Sequence, residues 1–478
     1  MAFLQRTMNR GSVSTGYDID NSLKFESDNT ERVNKAAGTI SGAGNRKTFT
    51  ISFWTKRTEI NGVKQYLFEA GNSDANDDRF TLRFGTGDTF DIQSQSSWLI
   101  TNRIFRDTSA WYHFVIKVDT TDGTAANRIK LYVNGVEETS FSTDNRSSIN
   151  QNHDFPVNNT EDHIIGNSQI EGSKYYNGYI AEWIQLDGTA AAPTSFGEFD
   201  DDSGIWKPKD PSALSFGTNG FWLDFEDSSN LGNDASGGTD FTLTNITAAD
   251  QSTDTCTNNF ATLNRLFKYP SSQVINEGAT KVARTSGSGL NKTFISNIAV
   301  TAGKWYAEFK PTAGGSNYVV GIMPISTSSN VALDGNHLGN SDFTGSLGYY
   351  SPDGSMLAAG NSANGSFGNS YTGDDIIGVA LDMDNRKVYF SKNGTYQNSQ
   401  DPTNGTNAIT LTDTSDGYHI GFTYDTSGTV ECNFGGYHVN TLSSAAADGN
   451  GFGSFEYAPP TGYYALCGKN LAEFGGTA

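Results

Sequence analysis

Two short stretches of the chain alternate apolar and polar residues and then reach an Asn-Gly pair. They are residues 130–138 (KLYVNGVEE) and residues 387–396 (KVYFSKNGTY). A two-residue type I′ turn needs positive φ at both central residues, and Asn-Gly meets this requirement well. The sequence therefore predicts one β-hairpin in each half of the chain.

Each half also contains an aromatic strand that begins with Trp-Tyr. From Tyr112 to Tyr132 in the hairpin strand the chain advances 132 − 112 = 20 residues. From Tyr306 to Tyr389 it advances 389 − 306 = 83 residues. Similar strands at such different spacings indicate two β domains with different connections, and not a recent tandem duplication.

Size and composition agree with two β domains. The chain has 478 residues, which is more than one hydrophobic core usually fills. Glycine (53), Phe (30) and Tyr (21) are abundant and charged residues make up 18%, which is typical of many short strands and turns. We predict an all-β fold of two antiparallel β-sandwiches joined by an ordered connector. The boundaries are an N-terminal arm at residues 1–20, a first sandwich at 21–197, a connector with a packed strand at 198–260, and a second sandwich at 261–478.

Alternating apolar residues mark the strand faces that we expect to point into the two cores. The clearest runs are Phe49, Ile51 and Phe53; Tyr112, Phe114, Ile116 and Val118; Phe221, Leu223 and Phe225; Trp305, Ala307 and Phe309; and Ile377, Val379, Leu381 and Met383.

The charge balance excludes several classes of partner. The formal net charge is 32 − 53 = −21, and such a surface repels the phosphate backbone of nucleic acids and anionic lipid. No apolar run approaches the ~20 residues of a membrane-spanning helix, and residues 1–10 lack the apolar core of a signal peptide. The three cysteines show no CxxC spacing and are too few for a disulfide framework. We expect synthesis in the cytoplasm, no nucleic-acid partner and no membrane insertion.

The loop at residues 74–78 is a candidate metal site. Asp74, Asn76 and Asp78 supply oxygen ligands at alternate positions, as the start of an EF-hand calcium loop does. However, Arg79 stands at the sixth position, where that loop needs Gly, and no helix flanks it. A solvated turn is the favoured interpretation, so we expect no cofactor, with Ca²⁺ as the alternative.

The sequence offers no convincing catalytic set. Glycoside hydrolysis needs two carboxylates facing one bond, and neither an E-x-D-x-E nor an E-x-D-x-x-E strand is present. The acid pairs Asp224/Glu226 and Glu198/Asp200 are typical of solvated strand faces and turns. His113 lies on the strand face opposite its aromatic neighbours, where a hydrogen-bonded structural histidine is favoured. We expect that the protein is not an enzyme.

Trp98 and Asn76 are the candidate ligand-binding residues. Trp98 lies among polar residues (QSQSSWLITNR) that suit hydrogen bonding to sugar hydroxyl groups, and its ring is a candidate for stacking on a sugar. The alternative is that Trp98 packs beneath a strand end, which the high average burial of Trp favours.

The first half resembles a laminin-G-like, concanavalin-A-type lectin domain. The resemblance is carried by FTISFWTK, YLFEAG, WYHFVIKVDTTDGTAANRIKLYVNGVEE and YYNGYIAEWIQLDG, within residues 49–190. It implies a jelly-roll β-sandwich that binds carbohydrate or protein, sometimes with calcium. The stretch FRDTSAWYHFVIKVDTT is similar to lectin-like proteins common in bacteriophages.

The second half resembles a SPRY domain. The marks are GKWYAEFK, DDIIGVALDMDNRKVYFSKNG, YHIGFTYD and TVECNFG. The resemblance implies a β-sandwich that recognises protein partners through surface loops. The pairing of the two domains resembles virion proteins of phages.

These resemblances lead us to expect a phage virion protein: a fibre, tail or capsid decoration component. We expect it to reside in the virion as a homo-oligomer and to recognise host-surface carbohydrate or other virion proteins. One alternative is a polysaccharide depolymerase that uses the lectin-type groove. Another is a purely structural capsid or tail subunit.

Overall fold

The chain divides into two compact units, with the boundary in the sequence between Thr257 and Asn258. A computed structural model describes residues 16–72, 79–94, 97–172, 174–265, 273–284, 292–312, 317–330, 335–358, 365–412, 417–424, 428–439 and 442–475. Antiparallel strands dominate both units, and the described residues include only two short α-helices. The predicted all-β fold of two β-sandwiches is therefore confirmed.

The first unit consists of short strands and 3₁₀ turns. Its strands are β1 (Ser22–Phe25), β2 (Arg32–Lys35), β3 (Thr48–Arg57), β4 (Gln65–Gly71), β5 (Arg79–Phe84), β6 (Thr89–Gln93), β7 (Ser97–Ile104), β8 (Tyr112–Asp119), β9 (Ile129–Val133), β10 (Val136–Glu137), β11 (Phe141–Asp144), β12 (His163–Ile165), β13 (Gly178–Asp187), β14 (Gly197–Phe199), β15 (Trp206–Pro208), β16 (Phe221–Leu223), β17 (Thr242–Thr244) and β18 (Gln251–Ser252). Its 3₁₀ turns are Ala37–Thr39, Ala125–Asn127, Arg146–Ser148, Pro193–Ser195 and Ala248–Asp250.

Two antiparallel sheets form the sandwich of the first unit. The first sheet has the order β10-β9-β8-β3-β13-β1-β18, with β16 also pairing β13, and the second has the order β11-β7-β6-β5-β4-β12-β2-β17. The core between them contains the predicted inward faces of β3 and β8, including Phe49, Phe53 and Phe114. Each such fully buried side chain stabilises the fold by roughly 1.5–3 kcal/mol.

Residues 198–257, which belong to the predicted connector, contribute strands to both sheets of the first unit. β16 pairs β13, β18 pairs β1, and β17 pairs β2. Part of the predicted N-terminal arm also packs here. Ile19 is buried, and its backbone N–H and C=O both bond the Thr257 hydroxyl.

The second unit has a further set of strands. They are β19 (Gln273–Asn276), β20 (Lys281–Arg284), β21 (Lys292–Ile295), β22 (Lys304–Pro311), β23 (Tyr318–Pro324), β24 (Leu347–Tyr350), β25 (Ser355–Ala358), β26 (Gly365–Ser366), β27 (Ile377–Asp382), β28 (Lys387–Lys392), β29 (Thr395–Tyr396), β30 (Ile409–Thr410), β31 (Tyr418–Tyr424), β32 (Gly428–Asn433) and β33 (Tyr464–Ala465). The helices are α1 (Ile325–Asn330) and α2 (Gly468–Phe474), and a 3₁₀ turn lies at Gln397–Ser399.

Two sheets also form the second unit. The third sheet has the order β19-β20-β32-β22-β27-β28-β29, with β30 pairing β28 and β33 pairing β22, and the fourth has the order β21-β31-β23-β24-β25-β26. The core between them contains the predicted inward faces of β22 and β27, such as Trp305, Phe309 and Val379. None of the helices within the described ranges is long and apolar enough to span a membrane.

Both predicted hairpins have the expected geometry. Asn134 and Gly135 have φ values of 48° and 79°, and Asn393 and Gly394 have φ values of 48° and 75°. Two consecutive positive φ values are what a type I′ turn requires.

The unequal spacing between the Trp-Tyr strand and the hairpin strand has a topological cause. In the first unit, Tyr112 opens β8, which pairs directly with the hairpin strand β9. In the second unit, Tyr306 lies on β22, and β27 separates this strand from the hairpin strand β28. The structural counterpart of β8 is therefore β27.

Candidate binding sites

The outer face of the first sheet is closed around His113. The His113 side chain is 1% exposed. Its Nδ1 accepts a hydrogen bond from Trp206 Nε1 at 2.9 Å, and its Nε2 lies 2.8 Å from Ser52 Oγ. Since the indole can only donate, Nδ1 is unprotonated and Nε2 carries the proton. Nε2 therefore donates to Ser52 and cannot act as its base, which confirms His113 as a hydrogen-bonded structural residue.

Aromatic rings complete this closure. Trp54 and Trp206 both stack with His113, with ring centroids 4.6 Å and 5.9 Å away. The cavity beside them has no room for a water molecule. Burial lowers the pKa of His113 to about 3, so the ring is neutral. This face is a packed interior surface and not a groove.

Glu182 fixes two chain segments on the same sheet. It has φ = 49° and lies within a register shift of β13. Its carboxylate accepts hydrogen bonds from the Tyr17 hydroxyl and from Trp222 Nε1, both at 3.0 Å. Burial raises the pKa of Glu182 to about 8. A positive φ at a residue other than Gly costs of order 1–3 kcal/mol, and these two contacts give the strained residue a structural role.

The prediction that Trp98 binds a ligand is corrected by the burial of its side chain. Its side chain is 4% exposed, and its ring packs edge-on against Phe155 with centroids 5.1 Å apart. The ring therefore belongs to the core and does not present a face for sugar stacking. This agrees with the alternative that Trp98 packs beneath a strand end.

The remaining sequence candidates fall into two groups. Asp74, Asn76 and Asp78 lie outside the described residues, and in the described ranges no three His, Cys, Asp or Glu side chains are grouped to hold a metal ion. Of the acid pairs, Asp224 accepts the backbone N–H of Glu226 in a turn.

The other acid pair is held by local contacts. Glu198 lies 3.6 Å from the ammonium group of Lys207, and Asp200 accepts hydrogen bonds from Ser203. The described contacts of both acid pairs thus serve turns and ion pairs.

A polar network occupies the outer face of the second sheet. We call it the Tyr66 cluster: Lys64, Tyr66, Glu69, Arg79, Arg83, Asp91 and Glu171. The Tyr66 hydroxyl accepts hydrogen bonds from Arg79 Nη2 at 2.9 Å and from Arg83 Nη1 at 2.6 Å. Glu171 in turn lies 3.0 Å from Lys64 and 3.2 Å from Arg79. The cluster contains three cations and three carboxylates, so its formal charge is balanced.

One end of the Tyr66 cluster is open to solvent. The side chains of Lys64 and Glu171 are 33% and 22% exposed, whereas that of Arg79 is 2% exposed. Burial by itself raises the pKa of Glu171, but hydrogen bonds from Tyr66, Lys64 and Arg79 outweigh it and lower the pKa to about 2. The cluster therefore presents a fixed carboxylate and a cation at the protein surface.

The second unit contains an open pocket of about 200 Å³ on the outer face of the third sheet. We call it the Glu308 pocket. Four carboxylates line it, together with apolar, neutral polar and basic residues: Glu308, Asp374, Glu431 and Glu456; Ile376, Cys432, Val439 and Leu442; Asn433 and Ser443; Lys310 and His438.

Glu308 is the most deeply buried acid of this pocket, with 3% exposure. Its carboxylate accepts hydrogen bonds from the Tyr306 hydroxyl at 3.0 Å and from the backbone N–H groups of Glu456 and Tyr457 at 2.9 Å. Burial raises the pKa of Glu308 to about 7. Glu308 thus holds the segment that forms one wall of the pocket.

Neither the Tyr66 cluster nor the Glu308 pocket was predicted from the sequence, although the residue alternation contains an indication of each. The run RFTLRF places Arg79 and Arg83 on the strand face opposite Phe80, Leu82 and Phe84. Likewise, Glu308 alternates with inward-facing neighbours in KWYAEFKP. The alternation indicates which side chains point outward, but the partners of these charges come from distant segments.

Comparisons with known proteins agree with the two folds. A family model of the concanavalin A-like lectin/glucanases superfamily matches residues 16–184, and a model of the SPRY domain matches residues 304–427. The chain contains a laminin-G-like lectin domain and a SPRY domain. No curated protein matches the chain.

Two solved structures are similar to parts of the chain. A human SPRY domain is 16% identical over 36% of this chain and 97% of its own, with a TM-score of 0.26. A heptameric SAP-like pentraxin from Limulus polyphemus is 16% identical over 37% of this chain and 80% of its own, with a TM-score of 0.27.

The two family matches include some of the residues described above and leave others outside. The Tyr66 cluster lies wholly inside the lectin match, whereas Trp206 and Trp222, which cover the first sheet, lie beyond it. In the SPRY domain, Glu308 and Ile376 lie inside the match, but Glu431 and the later lining residues, such as Val439 and Glu456, follow it. Segments that follow the lectin match therefore cover the outer face of the first sheet, and segments that follow the SPRY match form part of the Glu308 pocket.

Proposed function

We propose that this protein is a non-enzymatic binding component of a bacteriophage particle, in a fibre, the tail or the capsid decoration. Support comes from the two binding-type domains and from the similarity of residues 105–121 (FRDTSAWYHFVIKVDTT) to phage lectin-like proteins. In this role the lectin-like domain binds host-surface carbohydrate, and the SPRY domain holds a protein partner.

The observation that carries the proposal is the contrast between the two outer faces of the lectin-like domain. Around His113 the first sheet is covered by Trp206 and has no room for a ligand. On the second sheet, Lys64 and Glu171 remain partly exposed. Carbohydrate binding is therefore assigned to the Tyr66 cluster.

The chemistry of the Tyr66 cluster suits a neutral sugar. A sugar hydroxyl group both donates and accepts hydrogen bonds, so it pairs with a carboxylate and an ammonium group at once. Glu171 is held in place by Arg79 and Tyr66, and groups that are already ordered lose less entropy on binding. The balanced charge of the cluster gives no preference for an acidic sugar.

Absence of catalysis is part of the proposal. A polysaccharide depolymerase needs two carboxylates facing one bond across a groove. Around His113 the corresponding sheet face is filled by the rings of Trp54 and Trp206. This packing argues against a lectin-type catalytic groove at that face.

A glycan array probed with the purified chain tests the proposal. We expect binding to at least one neutral host glycan, and Lys64→Ala should weaken it about tenfold, since a hydrogen bond to a charged group contributes about 1.5–3 kcal/mol. Lys130→Ala is the matched control, because Lys130 pairs with Glu137 at 3.1 Å on the other sheet with similar exposure.

The same protein should also block adsorption of the phage to its host. Failure to bind glycans and to block adsorption, together with loss of particle stability when the protein is missing, would leave only the structural-subunit alternative. Equal effects of the Lys64 and Lys130 variants would remove the Tyr66 cluster from the proposal.

A further inference from the structure

We propose that the Glu308 pocket binds a single lysine or arginine side chain presented by a protein partner. This inference rests on the proposed function of the SPRY domain and names the chemistry of its partner. Its basis is the shape, the charge and the apolar lining of the pocket.

The size of the pocket suits one side chain. Its volume of about 200 Å³ is below the ~300–1,000 Å³ that is usual for sites of drug-sized ligands. The pocket nevertheless exceeds by several times the ≈ 30 Å³ that one water molecule occupies in the liquid. An extended side chain that enters from a partner fits this range.

The charge of the pocket selects a cation. Four carboxylates line the pocket with one ammonium group, that of Lys310, and Lys281 lies 4.0 Å from Glu431. Lys310 lies 3.9 Å from Asp374, so both distances are well beyond the ≈ 2.7–2.9 Å of a close charge-assisted hydrogen bond. Even with Glu308 protonated, three carboxylates face these two ammonium groups, so the pocket keeps an excess of negative charge that a further cation would offset.

Neutral groups hold two of the four carboxylates. Glu308 accepts hydrogen bonds from a tyrosine hydroxyl and two backbone N–H groups. Glu456 accepts hydrogen bonds from the backbone N–H and the hydroxyl of Ser443. These bonds fix both carboxylates without contributing a positive charge, so the carboxylates are preorganised for a cationic ligand.

The apolar part of the lining distinguishes a lysine or arginine side chain from a metal ion. Ile376, Val439 and Leu442 line the pocket beside the carboxylates. Lys and Arg carry an aliphatic stem that packs on apolar surface while the charged head reaches polar groups. A bare divalent cation would gain nothing from these three side chains.

The test is binding of a fluorescein-labelled trilysine peptide to the full chain, followed by fluorescence anisotropy. Glu431→Gln removes one pocket charge and keeps the side-chain shape, and we expect it to weaken binding at least tenfold. Ile376→Arg places a cationic side chain of the protein itself at the pocket and should abolish binding. A trinorleucine peptide should not bind.

Asp342→Asn is the matched control, because it removes one charge from an exposed position of the SPRY domain outside the pocket. It should change the affinity less than twofold. Equal weakening by Glu431→Gln and Asp342→Asn would overturn the proposal, because the peptide would then sense only the net charge of −21. Displacement by spermidine at the peptide's own concentration would overturn the assignment to a protein partner.

The outcomes also separate this proposal from the proposed function. If pocket variants leave peptide binding unchanged while the protein still blocks adsorption, only the pocket assignment fails. If the peptide binds as expected but the protein neither binds glycans nor affects adsorption, the pocket stands and the particle role fails.

Discussion

The two Asn-Gly hairpins share the hydrogen bonds that close the turn and differ in what surrounds them. In the first, the Asn134 side chain accepts the backbone N–H of His113 at 2.8 Å, and the Asn134 backbone N–H donates to the His113 carbonyl at 2.9 Å. In the second, Asn393 makes the same two bonds with Ile376, both at 2.8 Å. Local sequence therefore determines the hairpin, whichever domain contains it.

Each hairpin glycine also faces an aromatic ring from a later segment. A Cβ atom on Gly135 would lie 2.3 Å from the Trp206 ring, and one on Gly394 would lie 2.5 Å from the Tyr457 ring. Trp206 is 7% exposed and belongs to a closed surface, whereas Tyr457 is half-buried and adjoins the wall of the Glu308 pocket. The same turn thus supports a sealed face in one domain and an open site in the other.

The largest expected difference in stability is between loss of the Trp206 ring and loss of the Tyr457 ring. Trp206→Ala should destabilise the lectin-like domain by about 3–5 kcal/mol, the range for removal of a buried aromatic side chain. Tyr457→Ala should cost the SPRY domain less, about 1–2 kcal/mol, because its ring is only half-buried. Differential scanning calorimetry of the full chain measures both. Equal losses would contradict the contrast between a sealed and an open face.

The pH dependence of stability should also differ between the domains. A carboxyl group whose pKa is raised on folding stabilises the folded state below its ordinary pKa, and this contribution disappears as pH rises to the folded pKa. Glu182 has its pKa raised from 4.5 to about 8, and Glu308 from 4.5 to about 7. The lectin-like domain should therefore continue to lose stability between pH 7 and pH 8, after the Glu308 contribution has ended.

Glu182→Gln isolates this effect. Its carboxamide can accept from Trp222 and donate to the Tyr17 oxygen, so both contacts survive. The variant should remove about 3 kcal/mol of the pH-dependent loss between pH 5 and pH 8, since one pKa unit corresponds to about 1.4 kcal/mol. Denaturant unfolding followed by Trp fluorescence reports it, because six of the seven Trp residues lie in the lectin-like domain. An unchanged pH profile would show that Glu182 does not titrate in this range.

Alanine at the hairpin glycines should cost more than alanine at glycines with free space around them. Gly62 and Gly462 have φ values of 73° and 83° and no atom within 4 Å of an added Cβ. Gly135→Ala should exceed Gly62→Ala by about 1–2 kcal/mol, and Gly394→Ala should exceed Gly462→Ala by a similar amount, because overpacking adds to the backbone cost. Calorimetric unfolding of the four variants measures the differences. Equal costs within each pair would mean that the rings move aside freely.

The smallest effect is expected at the hairpin asparagines. Asn134→Gly and Asn393→Gly each retain positive φ and lose the side-chain hydrogen bond that closes the turn, so each should destabilise its domain by about 1 kcal/mol. Asn393→Gly also loses the exposed hydrogen bond from Asn393 to Asp375, so its loss in denaturant unfolding should be the larger one, by less than about 1 kcal/mol. A clearly larger loss at Asn134 would show that the surroundings, and not the turn itself, determine hairpin stability.

Features set by neighbours in sequence were predictable, and features set by distant segments were not. The alternation of Phe49 and Phe53 placed them in the core, and Asn-Gly gave both turns. The environment of Trp98 could not be read this way, because its burial depends on Phe155, which is 57 residues further along the chain.

The two proposed binding sites depend on even longer separations. Arg79 donates to Glu171 across 92 residues, and Glu308 accepts the backbone N–H of Glu456 across 148 residues. Alternation indicated that the Arg79 and Glu308 side chains point outward, but only the fold shows which groups they contact. The segments that cover each domain fall outside the family matches, so the family resemblance could not supply them either.

The central claim is that the lectin-like domain binds carbohydrate without cleaving it. Mass spectrometry of the glycan that gives the strongest array signal, after prolonged incubation with the full chain, tests this claim directly. We predict that the glycan is recovered at its original mass and in full amount. Shortened glycan products that appear in proportion to the protein added would contradict the account.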